Sequence, residues 1–182
     1  DSITEEWFMT RSSAREIAIH LIYELSFGLE KAEDVLEREL NCERFQQLEG
    51  ESELYRQYPN EKQEQYIRQL VKGAFDHGAE LDDYIARYAH GWAFARIPRM
   101  ASAIMRAAMY EVLYMPDIPN AAAINEAVEI AKRYEPQEVV SFMNGILGSF
   151  VRAEFQDTAP KTEKAEAADE AEPQPAGPQT EA

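Results

Sequence analysis

The chain has 182 residues, of which 45% are hydrophobic and 29% are charged, and its formal net charge is −16. This composition predicts one ordinary globular domain with tails, and no apolar run is long enough to span a membrane. The single cysteine, Cys42, excludes an intramolecular disulfide, so a reducing cytoplasm is expected. The acidic balance provides no overall basic footprint for nucleic acid, so any RNA-binding surface must be a local patch.

Composition divides the chain into three segments. Residues 1–9 are acidic and are expected to form a flexible arm. Residues 10–156 carry the apolar periodicity of a folded domain. Residues 157–182 contribute −5 to the net charge and are rich in Ala, Glu and Pro, which predicts a disordered acidic tail.

The first predicted helix covers residues 11–28 and has a clear apolar stripe. A second row runs beside that stripe at a spacing of four residues: Arg11, Arg15, Ile19 and Tyr23. We expect this row to lie off the core face. Two guanidiniums, an aliphatic side chain and a tyrosine fit RNA contacts, but they also fit a protein partner or a solvated flank of the helix.

The middle of the chain continues with helical periods. A weaker helix is predicted for residues 31–40, an irregular polar stretch for 41–60, and helices for 61–77 and 80–89. The helix predicted for 98–115 is apolar on all sides, which is typical of a central, buried helix. Its Arg106 must therefore reach solvent, a partner acid or a ligand phosphate, because a buried unpaired guanidinium is too costly.

The apolar periodicity of residues 117–150 predicts two consecutive helices, with Pro136 at the junction between them. Phe142 falls off the apolar stripe of the second helix, so its ring belongs either to a recognition surface or to the edge of the core. Gly145 lies beside it and costs about 1 kcal/mol in a helix interior relative to Ala, which suggests a close helix contact or a close ligand. In total the sequence predicts an all-α fold of about seven helices in two packed subdomains.

The sequence offers no sign of catalysis. Its three histidines, His20, His77 and His90, are far apart and have no metal-ligand spacing. There is no phosphate-binding glycine loop, and the carboxylate pairs look like solvated faces. We therefore predict a binding protein rather than an enzyme, with no cofactor and no metal.

Three ordered motifs resemble the NusB family. They are DIPNAAAINEAVEIAKRY followed by FMNGILGSF near the C-terminus, RSSAREIAIHLIYEL in the first helix and AIMRAAMYEVLY in the central helix. The resemblance covers about residues 10–152. It implies a bacterial transcription antitermination factor that binds boxA-type single-stranded RNA together with NusE, a small-subunit ribosomal protein. RNA polymerase and other Nus factors would be indirect partners, in support of ribosomal RNA transcription.

The resemblance also implies site residues. Those carried over to RNA binding are Arg11, Arg15, Tyr23, Arg106, Glu138 and Phe142, and those carried over to the protein partner are Ile19 and Tyr23. Asn144 and Gly145 belong to the signature and are expected to serve mainly helix packing. Some family positions differ: Ser12, Ser13 and Ser141 replace basic residues found in some members, and Ala101 replaces an acidic residue that helps to hold NusE.

Other interpretations remain open at this stage. The chain is alternatively a protein–protein scaffold without RNA specificity, or the accessory domain of an RNA cytosine methyltransferase. NusB-like proteins also form homodimers that bury the RNA face, so a homodimer is a further alternative.

Overall fold

The computed structural model describes residues 9–155, which form eight α-helices and two short 3-10 helices without any strand. The α-helices in chain order are α1 (Arg11–Leu25), α2 (Ala32–Glu39), α3 (Cys42–Leu48), α4 (Glu61–Asp76), α5 (Gly78–Tyr88), α6 (Arg99–Tyr114), α7 (Asn120–Tyr134) and α8 (Gln137–Phe155). The predicted all-α fold is confirmed.

One helix lies where the sequence predicted an irregular stretch. α3 is capped by Asn41, whose side chain accepts a hydrogen bond from the backbone N–H of Arg44 at 2.9 Å. Phe45 is buried, and the rings of Tyr55 and Tyr58 meet it edge-on. A capping residue and one buried aromatic therefore stabilise seven residues whose apolar pattern is too short to read as a helix.

The central position of α6 is confirmed. This helix packs against α1, α4, α5, α7 and α8, and Ile104, Met105 and Met109 are fully buried along it. α1 to α4 form one group of helices, in which α1 packs closely on α4, and α5 to α8 form the other. Because α6 contacts both groups, a side chain on it is able to link the two halves of the domain.

Two predicted segments fall largely outside the described residues. The expected flexible arm ended at Met9, but Met9 is buried against the core, so the arm cannot include it. The rest of the arm and the expected tail at 157–182 lie outside the described residues. Within residues 9–155 no helix is long and apolar enough to cross a membrane.

Candidate functional site

The row of four residues on α1 is more deeply buried than its spacing suggested. α1 begins after Thr10, whose hydroxyl accepts from the N–H of Ser13 at 3.0 Å. Ile19 is 0% exposed and Arg15 is 4% exposed, so the prediction that the row lies off the core face is wrong for both. The reason is that α1 is covered on two sides, by α4 and by α6. Ile19 therefore cannot contact a partner in this conformation.

Arg15 belongs to a buried polar network that joins α1, α4 and α6. Its Nε and Nη2 donate to the two carboxylate oxygens of Glu111 at 2.7 and 3.0 Å. The hydroxyl of Tyr66 donates to the same carboxylate at 2.5 Å, and Glu111 is 0% exposed. Burial alone would lower the pKa of Arg15, but the hydrogen bond and charge of Glu111 outweigh it and raise that pKa. These contacts give Arg15 a structural role.

Arg11 is the arginine of the row that reaches the surface. It is half-buried, its Nε donates to Gln63 at 2.9 Å, and its guanidinium lies 4.1 Å from the centre of the Tyr66 ring. No carboxylate within residues 9–155 forms an ion pair with it. Its charge is therefore oriented by a cation–π contact and remains available to an external anion.

Tyr23 lies at the other end of α1, beside an exposed aromatic surface. Its ring meets Phe27 edge-on at 5.3 Å, and Phe27 is 50% exposed. The guanidinium of Arg99 lies 4.4 Å from the centre of the Phe27 ring and donates to the carbonyl oxygen of Ser26 at 2.8 Å. Further exposed apolar side chains on the described chain include Leu29 and Phe75.

Arg106 is held by an internal ion pair, one of the outcomes that the sequence left open. Its Nε and Nη2 donate to the two oxygens of Asp82 at 2.6 and 2.9 Å. The side chain is 18% exposed and lines a cleft with Ile22, Ser26 and Phe75. The ion pair leaves Nη1 of Arg106 as a free donor, so this arginine can still hold an anion at the mouth of the cleft.

Phe142 is half-buried on α8, and its exposed neighbours mark an accessible face. The indole of Trp92 stacks on it, with ring centroids 4.5 Å apart and an interplanar angle of 24°. Glu138, Asn144 and Gly145 are exposed. A Cβ added to Gly145 would have no atom within 4 Å, so the expectation that Gly145 allows a close helix contact is wrong. The glycine leaves open space on the helix face beside Phe142.

The predicted site residues fall into three groups. Arg11 and Arg15 meet at the ring of Tyr66. Arg106 lines the cleft at the end of α1, and Tyr23 lies next in sequence to Ile22, which also lines it. Glu138 and Phe142 lie one turn apart on α8. No hydrogen bond, ion pair or ring contact joins these groups directly in the described part of the chain. Arg11 and Tyr23 are about 18 Å apart along α1.

The sequence reasoning missed residues that lie outside these groups but contact them or the surfaces beside them, namely Glu111, Asp82, Trp92 and Arg99. Two signals were available. Glu111 is an acid on a helix that is otherwise apolar all round. Residues 84–110 contain no Asp or Glu but four arginines, in a chain whose net charge is −16. That stretch includes both Trp92 and Arg99.

The described residues offer no evident place for a metal ion. Within residues 9–155 no group of three or more His, Cys, Asp or Glu side chains is close enough to hold one.

A model of the NusB family matches residues 12–152. The transcription antitermination protein NusB of Acetivibrio thermocellus is 39% identical over 148 residues, which cover 81% of this chain and 92% of that protein. The protein of the same name from Carboxydothermus hydrogenoformans is 41% identical over 140 residues, covering 77% and 91%.

Solved structures match as well. T. maritima NusB superposes with a TM-score of 0.65 at 28% identity, covering 80% of this chain and 92% of that one. A chain from a complex of the antitermination factors NusB and NusE with dsRNA superposes with a TM-score of 0.63, covering 79% and 96%. At 19% identity this second match shows the fold alone.

Proposed function

The chain belongs to the NusB family, and from this premise we propose that it is a transcription antitermination factor that binds boxA-type RNA together with NusE. The observation that carries the proposal is the face of α8 around Phe142. A half-exposed aromatic ring there lies beside exposed Asn144 and the open space over Gly145. A face of this kind admits a single-stranded base and its backbone, and stacking of one base contributes about 1–3 kcal/mol.

The arginines at the surface provide the phosphate contacts of this proposal. Arg11 has no acidic partner among the described residues, and Arg106 keeps one nitrogen free of Asp82. Arg15 makes no phosphate contact in this proposal; it is buried and holds α1 against α6 through its hydrogen bonds to Glu111. Two cationic contacts imply a salt dependence of only about −1.4 in the slope of log K against log salt, so the partner must contribute positive charge of its own.

The partner surface of this proposal is the aromatic end of α1. Phe75 is exposed and lines the cleft with Arg106, and half-buried Tyr23 contacts the exposed ring of Phe27, next to Ser26 of the same cleft. Aromatic residues and arginine are the types that most often anchor protein interfaces. A NusE-type ribosomal protein would bind here, and buried Ile19 would stabilise the helix that carries this surface. RNA polymerase and other Nus factors would bind through the assembled complex in the cytoplasm.

A protein–protein scaffold is the second candidate function. The exposed side chains of Phe27, Leu29 and Phe75 favour it, because exposed apolar side chains can anchor a protein partner without any RNA. A homodimer that covers the same surface belongs to this candidate. The methyltransferase-accessory interpretation has less support, since the chain aligns with over nine-tenths of two NusB relatives.

The test is fluorescence anisotropy of a labelled boxA-type RNA, titrated with the protein in the presence and absence of NusE. We expect tight binding that a scrambled RNA does not reproduce and that NusE strengthens. Phe142→Leu keeps apolar bulk but removes the ring, and Arg11→Gln removes a surface charge; each should weaken binding about fivefold or more. Arg56→Gln is the charge-matched control, since Arg56 is 67% exposed and its ion pair within residues 9–155 is with Glu53. Equal binding of both RNAs with NusE present would favour the scaffold.

A further inference from the structure

We propose that the connection between α5 and α6, residues 89–98, is an additional RNA-binding element, in which Trp92 extends the stacking surface of Phe142 and Arg96 holds a phosphate. This inference rests on the proposed function and adds to it a contact site that neither the sequence motifs nor the three residue groups above contain. The ligand class is an unpaired nucleotide of the bound RNA.

The charge of the connection sets it apart from the rest of the chain. It lies within residues 84–110, which contain four arginines and no acid, whereas the whole chain has 34 acidic and 18 basic residues. Two of these arginines are neutralised, Arg87 by Glu154 and Arg106 by Asp82. Arg96 is exposed and forms no ion pair within residues 9–155. Its uncompensated charge in an acidic protein favours an anionic ligand.

The aromatic residues of the connection complete the chemistry of a single-strand site. Gly91 has φ +84°, a conformation that turns the chain at low cost only for glycine, and Trp92 follows it to stack on Phe142. Phe94 is 39% exposed two residues later. A basic element with interleaved aromatic rings is the arrangement by which single-stranded nucleic acid is bound without a deep pocket.

The position of the connection joins the surfaces already described. Trp92 contacts Phe142 on α8, and Arg99, the first residue of α6, contacts Phe27 and Ser26 at the end of α1. Six residues between Trp92 and Arg99 therefore connect the proposed RNA face to the proposed partner surface. An RNA strand that leaves the Phe142 face along this connection would pass Arg96 before it reaches the partner.

The first experiment measures RNA affinity against salt for the full chain with NusE. We expect Arg96→Gln to weaken boxA-type RNA binding about fivefold and to flatten the salt slope by about 0.7, the value for one lost phosphate contact on a single strand. Arg56→Gln has the same change in charge at an exposed position outside residues 89–98 and should leave both unchanged. Trp92→Leu keeps apolar volume and should weaken binding about fivefold or more, with circular dichroism and the melting temperature as folding controls.

The second experiment uses Trp92 as its own reporter. The chain has two tryptophans, so a Trp7→Phe protein leaves Trp92 as the single one. Unlabelled boxA-type RNA should quench its fluorescence over the concentration range in which anisotropy reports binding. Tight RNA binding that Arg96→Gln leaves intact and that does not change the Trp92 signal would overturn this inference alone.

Other outcomes are equally distinct. Absence of boxA binding by the unchanged protein with NusE would overturn the proposed function and this inference together. If Arg96→Gln and Trp92→Leu weaken NusE binding but not RNA binding, the connection is a protein contact and the inference is wrong.

Discussion

The buried network around Glu111 indicates that Arg15 stabilises the folded protein, and replacing Arg15 with Met tests this role directly. In the Arg15→Met protein the carboxylate of Glu111, which is 0% exposed, would lose both guanidinium bonds and keep only the hydroxyl of Tyr66. Removing one partner of a buried ion pair typically costs about 3–5 kcal/mol. Because small domains are stable by only about 5–15 kcal/mol, the variant should unfold at much lower urea concentration.

A second substitution separates the lost charge pair from lost packing. Adding Glu111→Gln to Arg15→Met removes the unpaired charge but keeps an acceptor for Tyr66. We expect it to restore about 1–3 kcal/mol of the free energy of unfolding, which is what an unsatisfied buried group costs. Urea denaturation followed by circular dichroism measures all variants. Arg56→Met provides the control, because its exposed pair with Glu53 should contribute nothing measurable.

The Arg15→Met protein also tests whether Arg15 has a structural role or contacts RNA. At low temperature, where Arg15→Met is still folded, its affinity for boxA-type RNA with NusE should lie within about twofold of the unchanged protein. A variant with unchanged stability, or a fully folded variant with strongly reduced RNA affinity, would refute the structural assignment and return Arg15 to the RNA surface.

Three further outcomes follow from local geometry. Gly73→Ala should destabilise the protein by about 1–3 kcal/mol in urea denaturation, because its Cβ would lie 2.0 Å from the Tyr110 ring. Gly145→Ala should instead stabilise it by up to about 1 kcal/mol, since nothing lies within 4 Å; a loss of stability would contradict the open face. Burial lowers the pKa of His20, so the unfolded chain takes up its proton first, and the free energy of unfolding should fall as the pH drops below about 6.5. A His20→Gln protein should show a smaller fall, and an identical pH profile would show that His20 is not responsible.

Much of the fold was predictable because it depends on local periodicity. The apolar stripes at helical spacing located seven of the eight described α-helices, and the apolar composition of α6 predicted its central place. α3 was missed because its stability comes from the Asn41 cap and from the contacts of Phe45 with Tyr55 and Tyr58, and its seven residues are too few to show a helical apolar period.

The site was less predictable, since exposure depends on neighbours that spacing does not reveal. The even four-residue spacing of Arg11, Arg15, Ile19 and Tyr23 is the same for all four, yet α4 and α6 bury only the middle two. Gly145 shows the opposite error, because a helix glycine suggested a close contact where the structure has open space.

The sequence by itself determined the all-α class, most of the helices, the NusB resemblance and the set of side chains from which a site had to be drawn. Periodicity and motif order are properties of the chain alone, so they can be read without knowing how the helices pack. Only the tertiary structure decided that Arg15 pairs with Glu111, 96 residues away, and that Trp92 stacks on Phe142. Contacts of this kind depend on how helices cross, because burial and pairing are set by the neighbouring surface and not by the residue that carries the charge or ring.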